Sequence, residues 1–306
     1  MPYYDSLVAD GTHSVDRLAE TAERAGIAYA DLAACLGETG ETLYLKRDSH
    51  WDNKGALLAY NCILDTLGCA HARYDDVLPV RARTENGDLN RMLYSFYGEK
   101  ELNYRYDLPQ DWQMTNGAGS VEDPWIETSG PGNGSLLMFR DSFCNTLLPL
   151  LAPQFAEARF TKENPYRLEK LAEEYEPDYV ILEKAERNLR DLLRTPPVIS
   201  APEADLPAET EKKATASDVR MSSAPVDILY YEISGSVDPS CVRDGTRIAV
   251  RVNGVAYEAF CTGETAFTAY LKKEDVSLPA DLEVLTVDAD GTAVVLEKTV
   301  EEGEPQ

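Results

Sequence analysis

Only three histidines occur in the 306 residues, and one of them, His50, stands in "LYLKRDSHWDNKGALLAY", residues 43 to 60. Asp48 precedes it by two positions and Trp51 follows it. In an extended backbone the side chains at i and i+2 point the same way, so the carboxylate can reach an imidazole nitrogen. That contact would hold the ring in one tautomer and stabilise the imidazolium when it forms. The component missing from such a device is a nucleophile. "LLMFRDSFCNTLLP" contains a candidate, because Leu136 to Phe139 reads as a buried strand that runs into Asp141-Ser142 and then a helix. Ser142 would then stand at a strand-to-helix turn on the carboxyl edge of a parallel sheet, where α/β sites are built. Its own amide, near the helix N-terminus, would be one oxyanion donor. A serine hydroxyl alone is a poor nucleophile and needs a base from elsewhere in the chain, for which His50 is the obvious partner.

Simpler readings of the same residues stand beside this one. Asp-Ser before a helix is a common N-cap. A histidine beside a tryptophan is more often a packed surface residue than a base. Asp48 could cap the helix that starts near Asp52. Trp51 is read either as a wall or sugar-stacking surface at the rim of a site, or as a core aromatic that anchors the following helix. The other histidines, His13 in "GTHS" and His71 in "CAHARYDD", lack the strand-end context.

The elements that must position these residues alternate over the first 195 positions. "SVDRLAETAERAG" puts Val15, Leu18, Ala19 and Ala22 on one helical face. "IAYADL" and "ETLYLKR" read as strands, the second ending just before Asp48. "DNKGALLAYNCILDTLG" carries Leu57, Tyr60, Leu64 and Leu67 on one helical face and stops at Gly68. From about 69 to 134 the pattern is irregular, with strand-like "LNYRY" and "DWQM". Then "SLLMFR", "EARFT" and "DYVILEK" read as strands separated by helices. That order predicts a mostly parallel sheet covered on both faces.

Residues 195 to 225 are rich in Pro, Ala, Glu and Ser and read as an extended linker. Residues 226 to 306 are strand-rich. "RIAVRVNGVAYEAF" alternates about Asn253-Gly254, a two-residue hairpin signal that sets Val252 opposite Val255 and Val250 opposite Tyr257. A second hairpin is expected around Asp288 to Gly291. Several short strands predict a small C-terminal β-sandwich. About half of its aromatics (Tyr230, Tyr231, Tyr257, Phe260, Phe267 and Tyr270) should face outwards or lie at the inter-domain surface. Such a set would suit sugar binding, with a spacer whose aromatics are all core as the alternative.

A formal net charge of −25 and a pI near 4.4 set the chain against nucleic acid and anionic membrane surfaces. No apolar run is long enough for a membrane span. The opening "MPYYDSLVAD" has neither the basic start nor the apolar stretch of a secretory signal. Among the six cysteines, Cys62 and Cys69 read as buried thiols at helical spacing, while Cys241 and Cys261 could be bridged in an oxidising compartment. With no CxxC, GxxxxGK[ST], GxGxxG or HExxH pattern, neither a metal nor a cofactor is expected. The terminal "EEGEPQ" reads as a solvated tail.

Taken together, "LYLKRDSHWDNKGA" and the later "LLMFRDSF" resemble the DHHW protein family and the related alginate O-acetylation proteins. Those are SGNH-hydrolase-like domains in which the Asp-x-His pair precedes the serine. "GDLNRMLY" at 87 to 94 and the stretches after the serine fit as well, so the resemblance spans roughly residues 27 to 194. It implies an SGNH-hydrolase-like domain over residues 1 to 194 and a serine-dependent O-acetyltransferase or esterase, with a non-catalytic glycan-binding or surface protein that kept the fold as the alternative. The roles it implies are Ser142 as nucleophile, His50 as base and Asp48 as the orienting carboxylate. Trp51 and Asn145 are the substrate-side candidates. The implied partners are a carbohydrate polymer and an acyl donor, with a membrane acyltransferase as a candidate for the latter. The implied location is extracytoplasmic or at the cell surface. The chain departs from the family pattern at Ser49, where the family has His, and at Cys144, where a small residue is expected. Because Met1 lies close to the first helix, an early strand and a leader or anchor are expected to be missing.

Overall fold

The computed structural model describes residues 14–94, 99–207, 209–212, 216–224, 227–243, 245–288 and 291–300. His13 and the terminal "EEGEPQ" lie outside them. Two compact units divide the chain. One is made of the described residues up to Lys162 with Pro177–Arg187, the other of Glu163–Glu176 with those from Asn188 onward.

In the first unit, three helices come first: α1 (Ser14–Ala25), α2 (Leu32–Gly37) and α3 (Asn53–Leu67). Asp52 caps α3 by accepting the Gly55 amide at 2.8 Å, and α3 ends at Gly68 in a left-handed conformation. Strand β1 (Val80–Glu85), helix α4 (Asp88–Leu93) and strand β2 (Glu101–Arg105) follow, with β1 and β2 antiparallel. Then come β3 (Gln113–Met114), β4 (Trp125–Ser129), β5 (Ser135–Phe139), α5 (Cys144–Leu151), β6 (Glu157–Thr161), α6 (Leu168–Tyr175) and β7 (Tyr179–Leu182). Of these, α6 belongs to the second unit.

The main sheet has the order β3-β4-β6-β5-β7. Its buried residues (Ile126, Leu136, Met138, Ala158, Phe160) join those of α3 (Ala56, Leu57, Tyr60, Leu64) and α5 (Leu147, Leu148, Leu151) in one core. The sheet is mixed rather than mostly parallel. β5 pairs parallel with β6 and β7, whereas β4 is antiparallel to both β6 and β3. The loop from β4 to β5 is too short for the crossover a parallel return requires, so β4 runs the other way.

Two expected strands are absent. Asp31 accepts the Ala34 amide at 2.9 Å and caps a helix where "IAYADL" was expected to extend. "ETLYLKR" contributes a single antiparallel bridge, Tyr44 to Trp51, because the chain reverses between them.

The second unit adds α7 (Leu189–Arg194), β8 (Glu209–Lys212), β9 (Ala216–Ser223), β10 (Tyr230–Val237), β11 (Arg247–Val252), β12 (Val255–Glu258), β13 (Phe260–Cys261), β14 (Ala266–Lys272), β15 (Ala280–Asp288) and β16 (Gly291–Val300). They form two sheets, β13-β14-β10-β9 and β12-β11-β15-β16-β8. Ile233, Phe267 and Leu271 of one and Ile248, Val250, Leu282 and Val284 of the other share a single buried cluster. The Asn253-Gly254 hairpin has the expected register, and both residues have positive φ, 51° and 87°. The second hairpin pairs Asp288 with Gly291, and its tip lies outside the described residues.

Residues 195–225, read as a linker, supply β8 and β9 to these sheets. Their backbone also bonds to strands, Ala201 to Tyr270 and Ala204 to Ala256, each at 2.8 Å. Backbone pairing of this kind needs no side-chain period, which is why composition does not reveal it. The aromatics of this unit form no exposed row. Tyr230, Phe267 and Tyr270 are buried, and Tyr231, Tyr257 and Phe260 are half-buried. No helix among the described residues is long and apolar enough to cross a membrane.

Cys62 is not a free thiol. It is bridged to Cys35, because α2 lies beside α3 with the two Cα atoms 6.6 Å apart. Cys241 and Cys261, read as a possible bridge, are not joined in a disulfide, nor is Cys69, and Cys261 is exposed on β13.

Candidate active site

Asp48, Ser49 and His50 occupy the reversal between Tyr44 and Trp51. The Asp48 Oδ1 accepts the His50 amide at 3.0 Å and faces His50 Nδ1 at 2.6 Å. The carboxylate thus closes a tight turn and holds the ring it shaped. The i, i+2 contact arises from this Asx turn and not from an extended strand.

The partner across the ring comes from 92 residues further on. His50 Nε2 lies 2.7 Å from Ser142 Oγ. Ser142 sits in the turn between β5 and α5, at the carboxyl end of an interior strand of the sheet. Ser142, His50 and Asp48 therefore form one hydrogen-bonded chain. All three are partly accessible, with side-chain exposures of 24% for His50 and 14% for Asp48.

The serine turn is fixed from below. β7 runs beside β5, and the Glu183 amide donates to the Phe139 carbonyl at 2.8 Å. The Glu183 carboxyl accepts the Asp141 amide at 2.8 Å, while Asp141 accepts the amides of Phe143 and Ala185, each at 2.9 Å. Arg140, 1% exposed, donates to Asn145 Oδ1 at 2.7 Å and to the carbonyls of Val121 and Asp123 at 2.9 and 2.8 Å. Burial pushes the Glu183 carboxyl up to about 8, helped by the nearby Asp141 charge and opposed by Arg140. Burial also drives the Cys144 thiol well above its ordinary range, so it is an inert core thiol under the turn.

The amides on either side of Ser142 are thus committed, while that of Ser142 itself has no partner among the described residues. It remains available as an oxyanion donor.

Asn145 lies in the first turn of α5 with its side-chain oxygen held by Arg140. Trp51 does not form a rim. It is 8% exposed, its Nε1 donates to Thr146 Oγ1 at 2.6 Å, and its ring meets Phe143 edge-on at 5.1 Å. The ring is buried against the helix that follows Ser142. Phe143 also packs on the His50 ring at 4.9 Å and carries the Arg187 guanidinium over its ring at 5.1 Å.

Four participants escaped the sequence reading: Asp88, Glu183, Arg140 and Phe143. Asp88 opens α4, and its Oδ2 is 3.7 Å from His50 Nδ1. Its amide donates to Asp48 Oδ2 at 2.9 Å, and Ser49 donates to it through its amide (2.8 Å) and its hydroxyl (2.5 Å). Burial acts to raise its pKa, but the Ser49 hydrogen bonds, the Leu89 amide and the charge of His50 together hold it below the ordinary carboxylate value. The approach depends on Gly87, where a Cβ would sit 1.9 Å from the Arg47 carbonyl oxygen. The stretch "GDLNRMLY" was marked only by its resemblance to the family, and an acidic residue after Gly87 by itself reads as an ordinary first helical turn. For Glu183 the signal was a charge ending the apolar run "DYVIL" on a strand parallel to the one that carries the serine.

Asp48, His50 and Asp88 are also close enough together to suit a metal ion, but their facing atoms are already engaged in the hydrogen bonds above. Two concavities, of about 440 and 370 Å³, lie on this unit, and neither is lined by Ser142, His50 or Asp48.

No curated protein matches the chain. Among solved structures it is similar to a DHHW family protein from Eubacterium siraeum, with 14% identity, a TM-score of 0.43 and coverage of 53% of this chain and 65% of that one. It is similar to PatB1 of Bacillus cereus at 18% identity and TM-score 0.38, covering 50% of this chain and 65% of that one. The O-acetyltransferase domain of AlgJ from Pseudomonas putida matches at 16% identity and TM-score 0.34, covering 57% and 65%. The chain thus spans about 65% of the length of each of these structures. The family model "SGNH hydrolase-like domain, acetyltransferase AlgX" matches residues 3–123, which include Asp48, His50 and Asp88 and end before Ser142, so it is to this family that the first part of the chain is similar.

Proposed function

We propose that the protein transfers an acyl group, most simply acetyl, to a carbohydrate hydroxyl through an ester on Ser142. The observation that carries this reading is the 2.7 Å contact between Ser142 Oγ and His50 Nε2, with Asp48 at 2.6 Å on the far nitrogen. In the first half-reaction His50 Nε2 takes the Ser142 proton as Oγ attacks the acyl carbonyl of the donor. Asp48 holds the imidazolium, and the Ser142 amide faces the developing oxyanion. Collapse breaks the bond to the donor's leaving group, which receives the proton from His50 and departs, leaving acyl-Ser142. In the second half, a sugar hydroxyl loses its proton to His50 and attacks the ester, and the bond to Ser142 breaks as its Oγ takes that proton back from His50. Water in place of the sugar would make the same site an acetylesterase. A glycan-binding protein without chemistry has no need of a serine aligned on a histidine in this way.

The acceptor class is an exopolysaccharide or cell-surface glycan, in keeping with the acetyltransferase named by the family model. The Cys35–Cys62 bridge supports an extracytoplasmic location, where disulfides persist. The two sheets of the second unit are read as a β-sandwich, and the lack of an exposed aromatic row favours a spacer over a sugar-binding module.

The test is labelling of the purified protein with a fluorophosphonate, with the modified residue located by mass spectrometry. Ser142 should be modified in the wild type and unmodified in His50→Ala. Equal labelling of the two proteins would remove His50 as base, and labelling at another serine would remove Ser142.

A further inference from the structure

His50 Nδ1 faces two carboxylates. Asp48 Oδ1 is at 2.6 Å and Asp88 Oδ2 at 3.7 Å. The second is not a loose surface group. Ser49 grips it with both its amide and its hydroxyl, and the Ser49 hydroxyl itself lies 3.5 Å from His50 Nδ1. Asp88 in turn donates its amide to the outer oxygen of Asp48, so the two acids are locked to each other as well as to the ring. The loop can come this close only because residue 87 is glycine. Two chain segments thus converge behind Nδ1, the reversal at 48–50 and the start of α4, while the Ser142 turn meets Nε2 across the ring.

We propose that Asp88, held by Ser49, is a positioning residue that shares with Asp48 the stabilisation of the His50 cation formed when Ser142 gives up its proton. This rests on the acyl-transfer reading of Ser142 and His50 and adds a second negative charge to it. Asp48 takes the hydrogen bond and sets the tautomer, while Asp88 acts through space and through Ser49. The arrangement explains why this chain has Ser at position 49, since a hydroxyl there can donate to Asp88 while its amide does the same. Among the described residues, the charged groups facing His50 are Asp48 and Asp88 behind the ring and Arg187 beyond Phe143.

The experiment measures the rate of Ser142 modification by a fluorophosphonate against pH in the full chain. Wild type, Asp88→Asn, Ser49→Ala, Ser142→Ala and His50→Ala are compared, with thermal melting as a control for folding. Loss of the Asp88 charge makes the ring easier to deprotonate and its cation costlier to form. Asp88→Asn should therefore move the acid limb of the profile to lower pH by about one unit. It should also slow the plateau rate roughly tenfold, the equivalent of about 1.4 kcal/mol. Ser49→Ala keeps the charge but releases it, so its shift should have the same direction and be smaller. It also serves as the second variant if Asp88→Asn melts early. A purely structural Asp88 would lower the melting temperature and the rate while leaving the acid limb in place, and that result overturns the proposal. If Ser142→Ala and His50→Ala abolish labelling while the acid limbs of Asp88→Asn and Ser49→Ala match the wild type, only the Asp88 role falls. If the wild type itself is not labelled at Ser142, the acyl-transfer reading falls and takes this one with it.

Discussion

The indole N–H of Trp51 donates to the hydroxyl of Thr146 at 2.6 Å, across 95 residues of sequence. The bond ties the reversal that carries His50 to the helix that follows Ser142, and the Trp51 ring packs against Phe143 between them. Trp51→Ala should therefore unfold more easily by about 3–5 kcal/mol, the usual cost of truncating a buried aromatic. Trp51→Phe keeps most of the packing and loses one buried hydrogen bond, for about 1 kcal/mol more than its packing loss. Urea unfolding of the three proteins checks this, and an unchanged midpoint for Trp51→Ala would return the residue to the rim.

Asp48→Asn is expected to fold, because the amide oxygen can still accept the His50 amide. It cannot hold the imidazole tautomer or stabilise the imidazolium as a carboxylate does. Loss of such an orienting acid costs up to about 10⁴ in rate. Circular dichroism together with turnover of 4-nitrophenyl acetate separates the two effects. Unchanged turnover would mean that Asp48 only shapes the turn.

Gly87→Ala should impair the site without touching any reacting group. The added methyl would lie 1.9 Å from the Arg47 carbonyl, so α4 and the 47–50 loop must separate. An overpacked contact of this kind costs about 1–3 kcal/mol. The fluorophosphonate labelling rate should drop with it, since Asp88 would be carried away from His50. A variant with wild-type labelling and stability would show that the loop approach is dispensable.

The Glu183 carboxyl gives stability a particular pH dependence. Its folded-state pKa is raised from 4.5 to about 8. Between those values the folded state holds a proton that the unfolded state has released, so stability falls as pH rises through this window and is level above it. Glu183→Gln stays neutral and can still accept the Asp141 amide. The melting temperature of the variant relative to wild type should therefore rise between about pH 4.5 and 8. A difference independent of pH would show that Glu183 is ionised in the folded protein at the low end of that range.

The Cys35–Cys62 bridge closes a loop with a sequence separation of 27. In the chain-entropy account a loop of that size contributes about 3–4 kcal/mol. Replacing both cysteines by alanine should lower stability by that order. Thiol titration of the denatured, unreduced protein should find the four cysteines outside the bridge, Cys69, Cys144, Cys241 and Cys261. Six titratable thiols would exclude the bridge.

Much of the site was legible in the sequence because its signals are local. Asp48 and His50 meet through a two-residue turn, and a run as apolar as Leu136 to Phe139 ending in Asp141-Ser142 can do little but form a buried strand with a polar turn. The Asn253-Gly254 hairpin was legible for the same reason, since positive φ at consecutive positions selects those residues. The 3.6-residue period of α3 likewise marked its buried face.

What only the tertiary structure decided is which distant residues meet. Asp88 lies 40 residues from Asp48 and Glu183 lies 42 from Asp141, and nothing in either local stretch marks those encounters. The disulfide partner of Cys62 depended on how α2 lies along α3, and Trp51 became core because α5 happens to cover it. Strand direction and the pairing of residues 195–225 were hidden for a related reason. Backbone hydrogen bonds carry no side-chain signature, so a polar, proline-rich stretch can join a sheet without announcing it. Periodicity and turn chemistry act within a few residues of chain, whereas packing joins surfaces that the chain brings together only once it has folded.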